Sequence, residues 1–163
     1  LVFLKRLRKA HMRKVLVVVA STLLLAGCSS APAAKPIEVV EGTTVATGEL
    51  TVGQCLSEDA ATGDVGIAQA VDCNKPHFGE VMAAGNVRTI GDRFDDAKIA
   101  ELANNFCIKS FEDFTGLRYD RSKLQMFPLV PSEKSWKAGD RIATCIIYDE
   151  TGSVTGSLKG ANR

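Results

Sequence analysis

Cysteine, histidine, carboxylate and tryptophan are the residues of this chain with chemistry to offer. Four cysteines stand at 55, 73, 107 and 145, and a fifth at 28. A structural zinc site is the competing use for such a set, but it draws two ligands from a short clip such as C-x-x-C. Here the gaps between the four are 17, 33 and 37 residues. The same missing clip argues against a thioredoxin-like redox centre. His77 follows Cys73 and Pro76 at a turn and precedes Glu80 by three residues. The two are a candidate ligand-contacting pair; the alternative is a partly exposed turn histidine, hydrogen-bonded to the backbone or to Glu80. Trp136 lies in a loop with Lys134 and Lys137 and is either a core plug or a binding platform. Gly139-Asp140-Arg141 reads as a turn into a strand, and Asp140 and Arg141 could pair with each other or with His77. No G-x-S-x-G elbow, P-loop, H-E-x-x-H or calcium-loop pattern occurs. The acidic doublets Asp95-Asp96, Glu112-Asp113 and Asp149-Glu150 single out no glycosidase pair. The expectation is a protein that is not an enzyme, with no catalytic residue, metal or cofactor.

The elements that would position these residues are those of an α+β domain: a small antiparallel or mixed sheet packed against one main helix. Between Asp95 and Phe114 the apolar residues Ile99, Leu102, Ala103, Phe106, Cys107, Phe111 and Phe114 recur at three and four, and polar residues fill the other face. Asp95 or Asp96 suits the N-cap, and Gly116 the stop. Strand signals cover Glu49 to Leu56, Ile67 to Cys73, Gly79 to Val87, Leu124 to Val130 and Arg141 to Asp149. In the last, Ile142, Thr144, Ile146 and Tyr148 alternate with Ala143, Cys145 and Ile147, apolar on both faces as in a central strand. A short final strand, Val154 to Leu158, and a frayed tail, Lys159 to Arg163, complete the expectation.

The N-terminal part reads differently. Met12 to Cys28 has a charged start at Arg13 and Lys14, then eleven residues, Val15 to Leu25, that are mostly apolar. That is the form of an export signal, and it falls short of the roughly 20 residues a membrane-spanning helix needs. Leu25-Ala26-Gly27-Cys28 resembles the lipobox of bacterial lipoproteins, which implies cleavage before Cys28 and lipid on its thiol. Residues 1–27 are then a signal peptide, whose true start is either Met12 or, with a long basic leading region, Leu1. Residues 28–48, interrupted by Pro32 and Pro36, read as a lipidated N-terminus and tether. Residues 49–158 form the domain. Cleavage removes six basic and no acidic residues, leaving 14 basic against 19 acidic and moving the formal charge from +1 to −5. An acidic mature chain disfavours nucleic acid as a partner, and also docking on anionic lipid through charge. The membrane partner is reached through lipid on Cys28, which places the domain outside the cytoplasm.

With Cys28 given to lipid, an even number of cysteines remains in an exported chain, the arithmetic of two disulfides. Of three pairings, Cys55–Cys73 and Cys107–Cys145 are favoured. The first joins neighbouring strands and the second pins the helix to the sheet. A cysteine–histidine nucleophile is disfavoured because its thiol would come from this set.

Three stretches and a cysteine then carry a resemblance: Val52-Gly53-Gln54-Cys55-Leu56; Val71 to Val81, which contains Cys73, Pro76, His77 and Glu80; Cys107; and Pro131 to Trp136 running into Gly139-Asp140-Arg141 and Cys145. Together they resemble a septum-formation-related domain of actinobacterial envelope proteins, with Gln54 where the pattern has aspartate. The resemblance implies an extracytoplasmic module associated with cell division and implies no reaction. Three functional readings follow: a binding module for an envelope or division protein, a wall-modifying hydrolase using His77, and a small-ligand or metal capture lipoprotein.

Overall fold

Asp95 sets the start of the main helix, its side chain accepting from the Lys98 N–H at 3.0 Å. The helix, α1 (Asp96–Thr115), ends at Gly116, whose left-handed backbone turns its N–H onto the Glu112 carbonyl. Between these caps the 3.6-residue period puts Ile99, Ala103, Cys107, Phe111 and Phe114 on one buried face. That face lies on a sheet of six strands: β1 (Thr43–Ala46), β2 (Cys55–Leu56), β3 (Ile67–Val71), β4 (Gly79–Asn86), β5 (Leu124–Leu129) and β6 (Ile142–Asp149). Their order is β1-β3-β2-β4-β6-β5, and every neighbouring pair is antiparallel. A short helix, α2 (Glu133–Lys137), links β5 to β6. The computed structural model describes residues 42–57 and 66–163. The signal peptide, Cys28 and the tether up to residue 41 lie outside the described residues. Among the described residues no helix is long and apolar enough to cross a membrane.

Alternation in β6 builds two cores at once. Cys145 and Ile147 face α1 together with Met82, Cys107, Phe111, Phe114 and Leu124. Ile146 faces the other way, onto Leu56, Ala68 and Val81, and Leu50 covers that side. In β4 the register against β6 shifts between Val81 and Ala83. That extra residue lets Val81 and Met82 both be buried, one in each core. At Gly85 the approach is close: a Cβ there would lie 2.7 Å from the tip of the Phe106 ring, which would have to shift for α1 to sit down on β4.

Both expected disulfides are present. Cys55–Cys73 has its Cα atoms 5.3 Å apart, and Cys107–Cys145 has them 5.5 Å apart. The fold is α+β, as the residue pattern indicates, with four differences. Thr43–Ala46, expected in the tether, form the outer strand β1, paired with β3; they are mostly exposed and carry no alternating signal. The strand expected over Glu49 to Leu56 is reduced to Cys55–Leu56, because Thr47–Glu49 turn tightly and Leu50 packs into the second core instead. Val154 to Leu158 do not form a strand: Val154 makes a single bridge to His77. The tail beyond it is tied down rather than frayed. Gly160 and Asn162 donate to the carbonyls of Phe114 and Thr115, and Arg163 pairs with Asp149 at 2.7 Å.

Candidate functional site

The five residues singled out by chemistry fall into two separate clusters, one at each end of the β4–β6 pair. At the first end, Glu80 on β4 stands directly opposite Cys55 on β2. Its side chain, 1 % exposed, points at the C-terminal segment. One carboxyl oxygen accepts from the Ser157 hydroxyl at 2.7 Å and the other from the Leu158 N–H at 2.6 Å. His77 is 2 % exposed, not a partly exposed turn residue. Its backbone exchanges two hydrogen bonds with Val154, each 2.9 Å. Its Nδ1 lies 2.8 Å from the Lys75 carbonyl; a carbonyl can only accept, so Nδ1 carries the hydrogen. Nε2 is buried with no hydrogen-bond partner among the described residues. No hydrogen bond joins His77 to Glu80 among the described residues. The pair expected to meet a ligand is instead turned inward, latching residues 154–158 onto the sheet.

A sulfur of Cys55, a sulfur of Cys73 and a carboxyl oxygen of Glu80 lie within 4.8 Å of one another. The donor types suit a soft cation, but both sulfurs are engaged in the disulfide, and thiolate rather than disulfide sulfur is the metal ligand. As the fold stands, this is a packed contact between an acid and a disulfide.

At the other end of β4–β6, Trp136 sits on α2, not in a loop. Ser132 caps that helix, accepting from the Ser135 N–H at 3.1 Å. The indole is 4 % exposed and packs with Val87, Ile99, Ala103 and Ala143, so its role is that of a core plug. Its ring N–H donates to the Asp92 carbonyl at 3.2 Å. Arg141 lies over the ring, the guanidinium carbon 3.8 Å from the centroid, a cation–π geometry. The same guanidinium forks onto Asp92: Nε to Oδ1 and Nη2 to Oδ2, both at 2.9 Å. Its third nitrogen donates to the Trp136 and Asp140 carbonyls, each at 2.7 Å. The hydrogen bond from Arg141, ahead of the opposing effect of desolvation, holds the Asp92 carboxyl below the ordinary 3.8. Reciprocally, the bond to Asp92 pushes Arg141 further up.

Neither member of Asp140-Arg141 pairs with the other's side chain or with His77. Asp140 caps its own turn, accepting from the Ile142 N–H at 2.9 Å. Arg141 is committed to Asp92, 49 residues away. Two residues of these clusters carry no signal in the sequence reading, Asp92 and Ser157. Gly91-Asp92 between β4 and α1 is a turn signal that could have drawn attention to the first; nothing local distinguishes the second. A cleft beside Asp140, lined also by Leu129, Val130, Ile142 and Thr144, has a volume of about 30 Å³. That is room for a water molecule and far short of a small-molecule pocket.

No similarity to a curated protein or to a solved structure was found. The model of the septum formation family matches residues 52–162. That stretch runs from the turn before β2 to the tail and takes in both disulfides, the Glu80 latch and the Arg141–Trp136 clamp. With well over half of its length matched across both clusters, this chain belongs to the septum formation family.

Proposed function

We propose that this chain is a bacterial lipoprotein, anchored through lipid on Cys28 to the outer face of the cytoplasmic membrane, whose domain is a non-enzymatic binding module for the division or envelope machinery of actinobacteria. The observation that carries the reading is membership of the septum formation family in a domain whose polar candidates are spent on internal contacts. His77, the one histidine after Cys28, is buried, and Glu80 beside it holds the chain's own C-terminal segment. General acid–base work on a substrate needs a group within hydrogen-bond reach of it, which favours a scaffold over a hydrolase. Two disulfides support a location where oxidised cysteines persist.

The test is in two parts. Cys28→Ser is expected to move the protein from the membrane fraction to the soluble extracytoplasmic fraction; retention in the membrane would contradict the anchor. His77→Asn, which keeps a side-chain N–H donor at the place of Nδ1 for the Lys75 carbonyl, is expected to leave the division phenotype of a complemented deletion strain unchanged. Loss of complementation by a folded His77→Asn protein would favour the hydrolase or ligand-capture alternative. Crosslinking in intact envelopes is expected to recover a division or wall-synthesis protein with the native chain and to lose it with Cys28→Ser.

A further inference from the structure

The loop between β4 and α1 carries the most exposed of the large apolar side chains among the described residues. Ile90 is 98 % exposed, against 55 % for the next, Val52. A lone apolar side chain in water is ordinary, but this one rides on a braced turn. Gly91 and Asp92 both have left-handed backbones, φ 70° and 54°, a region that glycine and, among the other residues, aspartate adopt most readily. The Arg141 fork, the indole bond to the Asp92 carbonyl and the bond from the Thr89 hydroxyl to the Arg93 carbonyl hold the turn in that form. Loops held by a rigid scaffold are where proteins present binding groups. Arg88 and Arg93 flank the tip, both exposed, and neither forms an ion pair among the described residues. Of the nearby acids, Asp92 is paired with Arg141, while Asp95, which caps α1, and Asp96 keep their charge.

We propose that this loop inserts Ile90 into the surface of an anionic lipid bilayer, with Arg88 and Arg93 on lipid phosphates, and so fixes how the domain stands on the membrane. The inference rests on the anchoring of Cys28 proposed above.

The chain's own topology puts the loop within reach. β1 is antiparallel to β3, β3 to β2 and β2 to β4, so the start of β1 and the end of β4 face the same end of the sheet. Through Ala70 and Leu56, Thr43 lies level with Gly79, and Asn86 is seven residues further along β4. That is roughly 23 Å along the strand and about 14 Å across three strand spacings. Thirteen residues separate Cys28 from Gly42, enough to span at most about 45 Å. Tethering makes the contact intramolecular, at an effective concentration on the order of millimolar, so a weak interaction suffices. One inserted aliphatic side chain strengthens such a contact about tenfold or more, and each arginine near an anionic surface about fivefold. The acidic excess of the mature chain repels the rest of the surface from the same lipid, which makes the tip, where Arg88 and Arg93 flank Ile90, the contact that orients the domain.

Trp136, the only tryptophan, is bonded to the loop at Asp92 and reports its approach to lipid. The full chain, purified from membranes with its lipid, would be reconstituted into vesicles of equal parts phosphatidylcholine and phosphatidylglycerol with brominated acyl chains. Quenching of Trp136 fluorescence is expected, reduced about threefold or more in Ile90→Ser and in the double variant Arg88→Gln, Arg93→Gln, and in phosphatidylcholine alone. All three changes lie at the exposed surface, and an unchanged unfolding midpoint would verify that these variants fold. Equal quenching in native protein and Ile90→Ser, in a chain that floats with the vesicles, overturns the inference and leaves the anchor standing. Failure to float overturns the anchor and the inference with it. A photo-crosslinker at position 90 that captures protein and no lipid in cells would make the loop a protein-docking element and overturn the lipid assignment.

Discussion

The two ends of the β4–β6 pair solve the same problem in opposite ways. At the end marked by Glu80 and Tyr148, the C-terminal segment folds back and closes the sheet. Glu80 takes two hydrogen bonds from residues 77 and 78 positions away, His77 bridges Val154, and Asp149 receives Thr151 and Arg163. At the end marked by Asn86 and Ile142, the closing group is an arginine stacked on an indole, and its partner Asp92 stays half exposed. The first end is interior: Glu80 faces neutral donors, and the Arg163 pair is made to a buried acid, Asp149. The second is an ion pair at the surface that braces a turn and leaves Ile90 in water. Polar residues in a motif can thus serve the fold at one end and presentation at the other, and burial tells the two apart.

The largest effect is expected from the disulfide that pins α1 to the middle of β6. Replacing Cys107 and Cys145 by serine removes a cross-link spanning 38 residues, worth about 4 kcal/mol in the chain-entropy model. Denaturant unfolding should show that loss, and a larger loss than for the Cys55, Cys73 double replacement, whose 18-residue separation corresponds to about 3 kcal/mol. Next comes Glu80→Ala, which leaves the Leu158 N–H buried without an acceptor and opens a cavity. A cost of about 3 kcal/mol is expected, with release of the segment after Asp149 to protease. At the second end the change should be local. Arg141→Lys keeps the charge but loses the fork and the stacking plane; faster amide exchange in residues 88–94, with β4 and β6 unaffected, is expected by mass spectrometry. Equal loosening of both ends by Arg141→Lys would erase the distinction between them.

The smallest effect is that of pH. Asp149 is lowered chiefly by the Thr151 hydroxyl, then by the Thr151 N–H, and Asp92 chiefly by Arg141. A depressed folded-state carboxyl contributes stability that is present above the unfolded value of 3.8 and is lost as pH falls through the folded one. Thermal unfolding midpoints should therefore hold constant above about pH 5 and fall below about pH 4. Arg141→Lys should weaken the part of that fall due to Asp92 and leave the part due to Asp149.

The helix and its disulfide were legible because their signals are local or arithmetic. A 3.6-residue stripe from Ile99 to Phe114 names its own buried face, and an even set of cysteines on that stripe and on β6 constrains the partners. β1 was not legible, since Thr43–Ala46 form an exposed edge strand with no apolar alternation. The latches were not legible either. Glu80 meets Ser157 and Leu158, and Arg141 meets Asp92, across long separations that leave no periodic trace. The residues Glu80, His77, Trp136 and Arg141 stood out as chemistry, whereas what they bond to depended on how the chain closes.

The contrast between a sealed end and a presenting end is tested most directly by native-state hydrogen exchange of single amides in the full chain. The amides of Leu158 and Val154 are expected to exchange only with global unfolding, at the rate of the central β6 amides, while those of Ile90 and Gly91 exchange by local opening. Exchange of Leu158 at the rate of an unstructured peptide, with β4 and β6 still protected, would contradict the closure of the fold by Glu80.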